Sequence, residues 1–274
     1  MAASVDNLTK AELQRFAACP VRCRKIPIKI QRLADFFSVF SGIAKSSDPF
    51  WFRGHASVEW KLTPLALRFK LRSDRENALG LIADFKRVAE IKLPRPPAPE
   101  KELMWVQIAR HFGLPTRLLD WTESATVALF FACGRSGRDG LVFALSPIDL
   151  NRLSFPKKPK VLDANLDKDE IERYLRLGGA KNPTGRNPIA INPVWNSDRL
   201  MLQQGVFTLH GSRFDLDGDA VSTLVALPIL REHKSTLRLE LQRVGINEMT
   251  LFPELEHACR HIIRKAGLET QEAR

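Results

Sequence analysis

Asp48-Pro-Phe-Trp-Phe-Arg-Gly-His55 places an arginine at the end of a run of apolar residues, with a glycine and a histidine directly after it. The run has the length and aromatic content of a buried strand. Arginine is almost never fully buried unless it is paired. Arg53 therefore either closes an internal ion pair or waits for an anionic ligand, and that choice decides the function.

Working outward, helical spacing of Ile30, Leu33, Phe36, Phe37 and Phe40 predicts a helix before this strand. Thr9-Lys-Ala-Glu12 and Ser73-Asp-Arg-Glu76 both read as capping boxes. The first opens a short helix and the second opens one carrying Ala78, Leu81, Ile82, Phe85 and Val88. Residues 92–101 hold four prolines and predict a rigid loop. Trp105, Ile108, Ala109 and Phe112 share one helical face, which stops near Gly113-Leu-Pro115. Residues 124–133 are apolar nearly all round and predict a buried helix, and 140–145 a core strand. A basic loop at 157–160 and a helix at 167–177 follow. Residues 178–196 are rich in Gly, Pro and Asn and read as one long loop. Strands are expected at 206–210 and 222–227, then helices around Leu237 to Val244 and Leu255 to Ala266, the last ended by Gly267. Helices and strands mix without regular βαβ alternation, which points to an α+β fold.

The chain has 274 residues and a formal net charge of +11. That charge favours anionic partners such as a nucleotide or nucleic acid, and says nothing of the fold. Cys19, Cys23, Cys133 and Cys259 show no second Cys/His pair at ligand spacing, so no metal site is expected. This is reduced, cytoplasmic usage. The N-terminus lacks the apolar core of a signal peptide, and the longest apolar run, 127–133, is too short to span a bilayer.

Two further regions carry chemistry. His111-Phe-Gly-Leu-Pro-Thr-Arg-Leu-Leu-Asp-Trp-Thr122 crowds Thr116, Arg117, Asp120, Trp121, Thr122 and, just beyond, Ser124 into a turn that feeds the buried helix. A helix N-terminus suits phosphate. Capping by Asp120 or Thr122, with Arg117 paired to Asp120, is the plainer reading. Asp198-Arg-Leu-Met-Leu-Gln-Gln-Gly-Val-Phe207 leads two glutamines into a strand. Glutamine can orient a sugar hydroxyl but carries no charge.

These stretches, with Gly245-Ile-Asn-Glu-Met-Thr-Leu-Phe-Pro253, resemble the FRG domain family from about residue 35 to 265. The resemblance divides the chain into a helical arm (1–31), the FRG domain (32–266) and a disordered tail (267–274). A more distant resemblance to the ADP-ribosyltransferase fold implies a single mixed domain, with a small central β core and helices at both ends. It also implies NAD as cofactor. Arg53 would match the basic residue that holds NAD, Thr122 or Ser124 the central Ser/Thr element, and Gln203 or Gln204 the late element, where that fold usually has glutamate.

On this resemblance Arg53, Asp120, Thr122 and Gln204 are the expected catalytic residues. Arg53, Gly54, His55, Thr116, Arg117, Trp121 and Ser124 are the expected cofactor contacts, and His55 and His111 are candidate proton carriers or phosphate contacts. The implied activity is ADP-ribosyl transfer to nucleic acid or protein, as a toxin or anti-phage effector. A non-catalytic nucleotide- or nucleic-acid-binding module remains open beside it. So does a structural Arg53–Asp120 ion pair.

Overall fold

The computed structural model describes residues 6–43, 49–134, 137–176, 187–211, 216 and 224–268. Among them one open, mixed sheet of eight strands forms, with helices packed against it. Its strands are β1 (Arg24–Lys25), β2 (Trp51–His55), β3 (Leu118–Thr122), β4 (Gly140–Leu145), β5 (Leu162–Asp163), β6 (Ile189–Asn192), β7 (Gly205–Leu209) and β8 (Val225–Ile229). Their order is β1-β8-β4-β2-β3-β7-β6-β5. The edge pairs β1/β8 and β5/β6 are parallel and the inner pairs antiparallel. Both edge strands are two residues long, which keeps little unpaired backbone on offer.

The helices are α1 (Lys10–Gln14), α2 (Leu33–Ile43), α3 (Arg72–Lys92), α4 (Glu102–His111), α5 (Ala125–Ala132), α6 (Pro147–Arg152), α7 (Lys168–Arg176), α8 (Asp198–Leu202), α9 (Lys234–Arg243), α10 (Glu248–Leu251) and α11 (Leu255–Lys265). None of the described helices is long and apolar enough to cross a membrane.

Side-chain alternation along the strands sorts the core into layers. Val142 and Ala144 of β4 join Phe36 of α2, Leu129 of α5 and Leu237 of α9. Leu141, Phe143 and Leu145 face the other way, onto Trp51, Leu119 and Trp121. Phe16 and Val21 of the N-terminal segment enter that second layer. The same segment supplies β1, and its Arg15 pairs with Asp139 and Glu232. A third layer, from β6 and β7, packs Ile189 and Leu209 with Leu103 of α4 and Ile171 of α7.

The residue that joins β2 to α5 is Gly54. A methyl group there would sit 1.9 Å from the Ala128 carbonyl oxygen and 2.6 Å from the Ala132 nitrogen. Both are main-chain atoms that cannot step aside, so the glycine of Phe52-Arg53-Gly54 is set by helix–strand contact.

Several expectations need correction. Residues 118–122 form a central strand rather than a turn, and Leu119 and Trp121 alternate with Asp120 and Thr122 across it. Ser124, not Asp120 or Thr122, caps α5, accepting from the Val127 N–H. Thr9 and Glu12 do form a capping box, but Ser73 does not cap α3. That helix begins at Arg72, and Glu76 binds the Arg72 side chain instead. Within the expected loop 178–196, Ile189–Asn192 is a strand, which pairs with β7. Residues 178–186 of that loop, the last residue of the helix expected at 167–177, the start of the strand expected at 222–227, and 269–274 of the expected tail lie outside the described residues.

Candidate functional site

β2 and β3 are neighbours in the sheet, yet only Phe52 and Thr122 pair between them among the described residues. By contrast, β2 pairs with β4 over five positions and β3 with β7 over five. Beyond Phe52 and Thr122 the two strands part. A cleft of about 630 Å³ opens there, walled by α4, α5, α8 and the strand ends. Its volume lies in the range of small-molecule sites.

Arg53 reaches across this gap. One Nη1 donates to the main-chain carbonyl of Asp120 and lies 3.7 Å from its carboxylate, while Nε donates to His55 Nε2 at 3.1 Å. That bond assigns the His55 proton to Nδ1 and keeps the ring neutral. Burial, with Arg53 and Arg68 alongside, holds the His55 pKa well below 6.5. Arg53 itself is pushed down to about 10, because burial outweighs the attraction of Asp120.

Asp120 is the focus of the charges. Arg110 Nη2 donates to its Oδ2 at 2.6 Å. Burial would raise the carboxyl pKa, but Arg110 and Arg53 overcome it and hold the group below the usual carboxylate range. The side chain sits deep between elements yet remains 42% exposed, because it faces the open cleft. Arg68 adds a nearby positive charge, and burial together with Arg110 lowers its own pKa. Among the described lining residues, Arg53, Arg110 and Arg199 face one acidic residue, Asp120. The cleft therefore carries excess positive charge and is built to attract an anion.

The expected site residues divide sharply. Arg53, Gly54, Asp120, Trp121 and Thr122 line the cleft, and so does His111, whose pKa is lowered by burial and by Arg199. Thr122 is locked in place: its hydroxyl donates to the Gln203 carbonyl at 2.7 Å and accepts from the Ser124 N–H. Trp121 is 3% exposed, its indole N–H tied to Thr208, whereas Trp60, also in the lining, is 40% exposed. His55 lies behind Arg53 as its acceptor.

Others are placed elsewhere. Arg117 points away from the cleft, and its guanidinium donates to the main-chain carbonyls of Tyr174, Leu175 and His210 at 2.6, 2.7 and 3.2 Å. Thr116 is buried and accepts from the Leu118 N–H. Ser124 is spent on its helix cap. Gln204 adopts a φ of 47° at the turn into β7 and carries an exposed side chain. Of the two glutamines Gln203 lines the cleft, with its amide donating to the Leu251 carbonyl at 3.0 Å.

Sequence reasoning missed Gln107 and Arg110 on α4 and Arg199 on α8, all of which line the cleft. Arg199 stands over the Phe252 ring at 4.7 Å, 3.7 Å from Glu254. The i, i+3 spacing of Gln107 and Arg110, polar positions set among Trp105, Ile108 and Ala109, was the available signal. No described group of three or more His, Cys, Asp or Glu residues could hold a metal ion.

A comparison with protein families matches residues 48–139 to the FRG domain. The match spans β2 through α5 and so contains Arg53, Gly54, Gln107, Arg110 and Asp120. Comparison with curated proteins and with solved structures returned no match.

Proposed function

From the premise that the chain carries an FRG domain, we propose that the cleft binds NAD and transfers its ADP-ribose to an acceptor. The observation that carries this reading is the pairing of an ionised Asp120 with Arg53 and Arg110 where the sheet parts. A pyrophosphate supplies the anion that the surplus guanidinium charge favours, and bidentate arginine is its preferred partner. The ring of Trp60 supplies an apolar face for a base.

The chemistry follows from the carboxylate. The bond between the ribose C1′ and the pyridinium nitrogen breaks, and nicotinamide leaves with the bonding electrons as a neutral molecule. Positive charge develops on the ribose, as in glycoside hydrolysis, and the Asp120 carboxylate stabilises it. An acceptor oxygen or nitrogen then bonds to C1′ and gives up a proton to solvent or to the neutral imidazole of His111. The net charge of +11 favours an anionic acceptor, with nucleic acid the leading class.

One observation favours a second reading, a nucleotide-binding module without transfer. The late element is Gln203, whose amide is already bound to Leu251, and the Thr122 hydroxyl is likewise engaged.

Calorimetry and nicotinamide release separate these readings. The wild type is expected to bind NAD, and Arg53→Met to weaken binding by about tenfold or more, the worth of one charge-assisted contact. Asp120→Asn is expected to keep binding and lose about 100-fold or more of nicotinamide release. Binding without release in the wild type supports the module, and absence of NAD binding sinks both assignments of NAD.

A further inference from the structure

Gln107 is 3% exposed, lines the cleft, and has no hydrogen-bond partner for either Nε2 or Oε1 among the described residues. A buried amide left this way is costly, and native proteins seldom carry one without a reason. It does not stand alone. Arg110, one turn further along α4, has its Nε buried and unpartnered while its Nη2 grips Asp120. Across the cleft, Asn196 Nδ2 is also buried without a partner. Three side chains in the lining of one cavity thus hold unspent hydrogen-bonding capacity.

We propose that Gln107 is a specificity-determining residue that reads the carboxamide of the nicotinamide ring, an inference that rests on the NAD reading above. An amide side chain offers a donor and an acceptor side by side in one plane. A second carboxamide is its complement, with each group donating to the other. The amino edge of adenine offers a similar pair. Position decides between them. Residues three apart on a helix have Cβ atoms about 5–6 Å from each other, so Gln107 and Arg110 share one face. Arg110 holds Asp120, and Asp120 is the carboxylate assigned to the ribose that carries nicotinamide. Gln107 thus sits one helical turn from the residue that grips this carboxylate, which favours the nicotinamide carboxamide over the more distant adenine. Arg110 Nε is left to donate to a ribose or phosphate oxygen.

Gln107→Met keeps the side chain's volume and removes both hydrogen-bonding atoms, and Gln107→Glu keeps only the acceptor. Calorimetry on the wild type and both variants uses NAD, nicotinic acid adenine dinucleotide, which replaces the carboxamide by a carboxylate, and ADP-ribose, which lacks the ring. The wild type is expected to prefer NAD over the acid analogue. Both variants are expected to lose about tenfold or more on NAD, the value of one good hydrogen bond, and Gln107→Met, which adds no charge, to keep its affinity for ADP-ribose. Gln107→Met is expected to melt at the same temperature or higher, because it removes an unpaired buried amide. Equal losses on NAD and ADP-ribose would move the amide to the adenine end and overturn the proposal. A lower melting temperature with unchanged NAD affinity would overturn it too, as the mark of an amide satisfied by an internal water. A wild type that binds none of the three ligands refutes the NAD reading itself, a result distinct from either of these.

Discussion

Arg53 lies on β2 and Arg117 just before the neighbouring β3, and they look alike in the sequence, yet their surroundings separate them. Arg117 is 7% exposed, and its guanidinium meets three main-chain carbonyls that belong to the fold and cannot be exchanged. Arg53 donates to only one main-chain carbonyl, that of Asp120, and to His55, and it shares one carboxylate with Arg110 at the floor of an open cleft. A ligand phosphate can compete for Arg53, because Asp120 keeps Arg110 when Arg53 turns to the ligand. It cannot compete for Arg117 without orphaning buried carbonyls. Burial depresses both arginines to a pKa of about 10, so burial alone does not tell them apart. The exchangeability of their partners does.

The largest effect expected from this contrast is in stability. Arg117→Met leaves the Tyr174, Leu175 and His210 carbonyls without their donor in a dry site. Each unsatisfied buried group costs about 1–3 kcal/mol, so the variant is expected to lose about 3 kcal/mol or more in urea unfolding. A loss below about 1 kcal/mol would break the comparison, since it would mean that the socket tolerates an empty guanidinium site.

Sequence reading reached Arg53 because a charge that ends an apolar run violates local pattern. It misplaced Arg117 because proximity to Asp120 in the chain suggested a pair, whereas the Arg117 guanidinium binds main-chain carbonyls and Asp120 lines the cleft. What a side chain meets depends on contacts made far along the chain, here with residues 174, 175 and 210. Strand β3 was hidden by the Gly113-Leu-Pro115 turn just before it, although its period-two alternation was present in the sequence. Strand β6 was hidden by the glycines and asparagines around its four residues. Gln107 and Arg110 sit on a helix whose apolar neighbours pointed to core, and only the docking of α4 against β3 turns those two toward the cleft. The apolar segments at 125–132 and 140–145 were legible because burial of most or all of their residues leaves a nearly continuous run.

A smaller effect is expected from Arg53→Met. Asp120 keeps its bond to Arg110, and the repulsion between the two arginines disappears. The variant loses its bonds to the Asp120 carbonyl and to His55, so a cost of about 1–2 kcal/mol is expected in the same unfolding assay. NAD binding is the property it should lose. A cost equal to that of Arg117→Met would place Arg53 with the structural arginines and leave the cleft without its anion hook.

The smallest effect is a pH dependence that sharpens the role of His55. Its folded pKa is depressed, by burial first and then by Arg53 and Arg68. At pH above 6.5 the imidazole is neutral in both folded and unfolded chains, and no stability is at stake. As pH falls through 6.5 the unfolded chain takes up a proton that the folded chain refuses, so stability drops until the folded pKa is reached. Between pH 6.5 and 5.5 this one group is expected to remove about 1 kcal/mol. His111, also depressed, adds its own share. His55→Gln retains an acceptor for Arg53 Nε but does not titrate, so it isolates the His55 part. The difference between the wild-type and His55→Gln stability profiles should grow as pH falls over this range. Parallel profiles would mean that His55 takes up a proton in the folded protein as readily as in the unfolded chain below pH 6.5. It could not then accept from Arg53, and the guanidinium would owe its position across the gap to Asp120 alone.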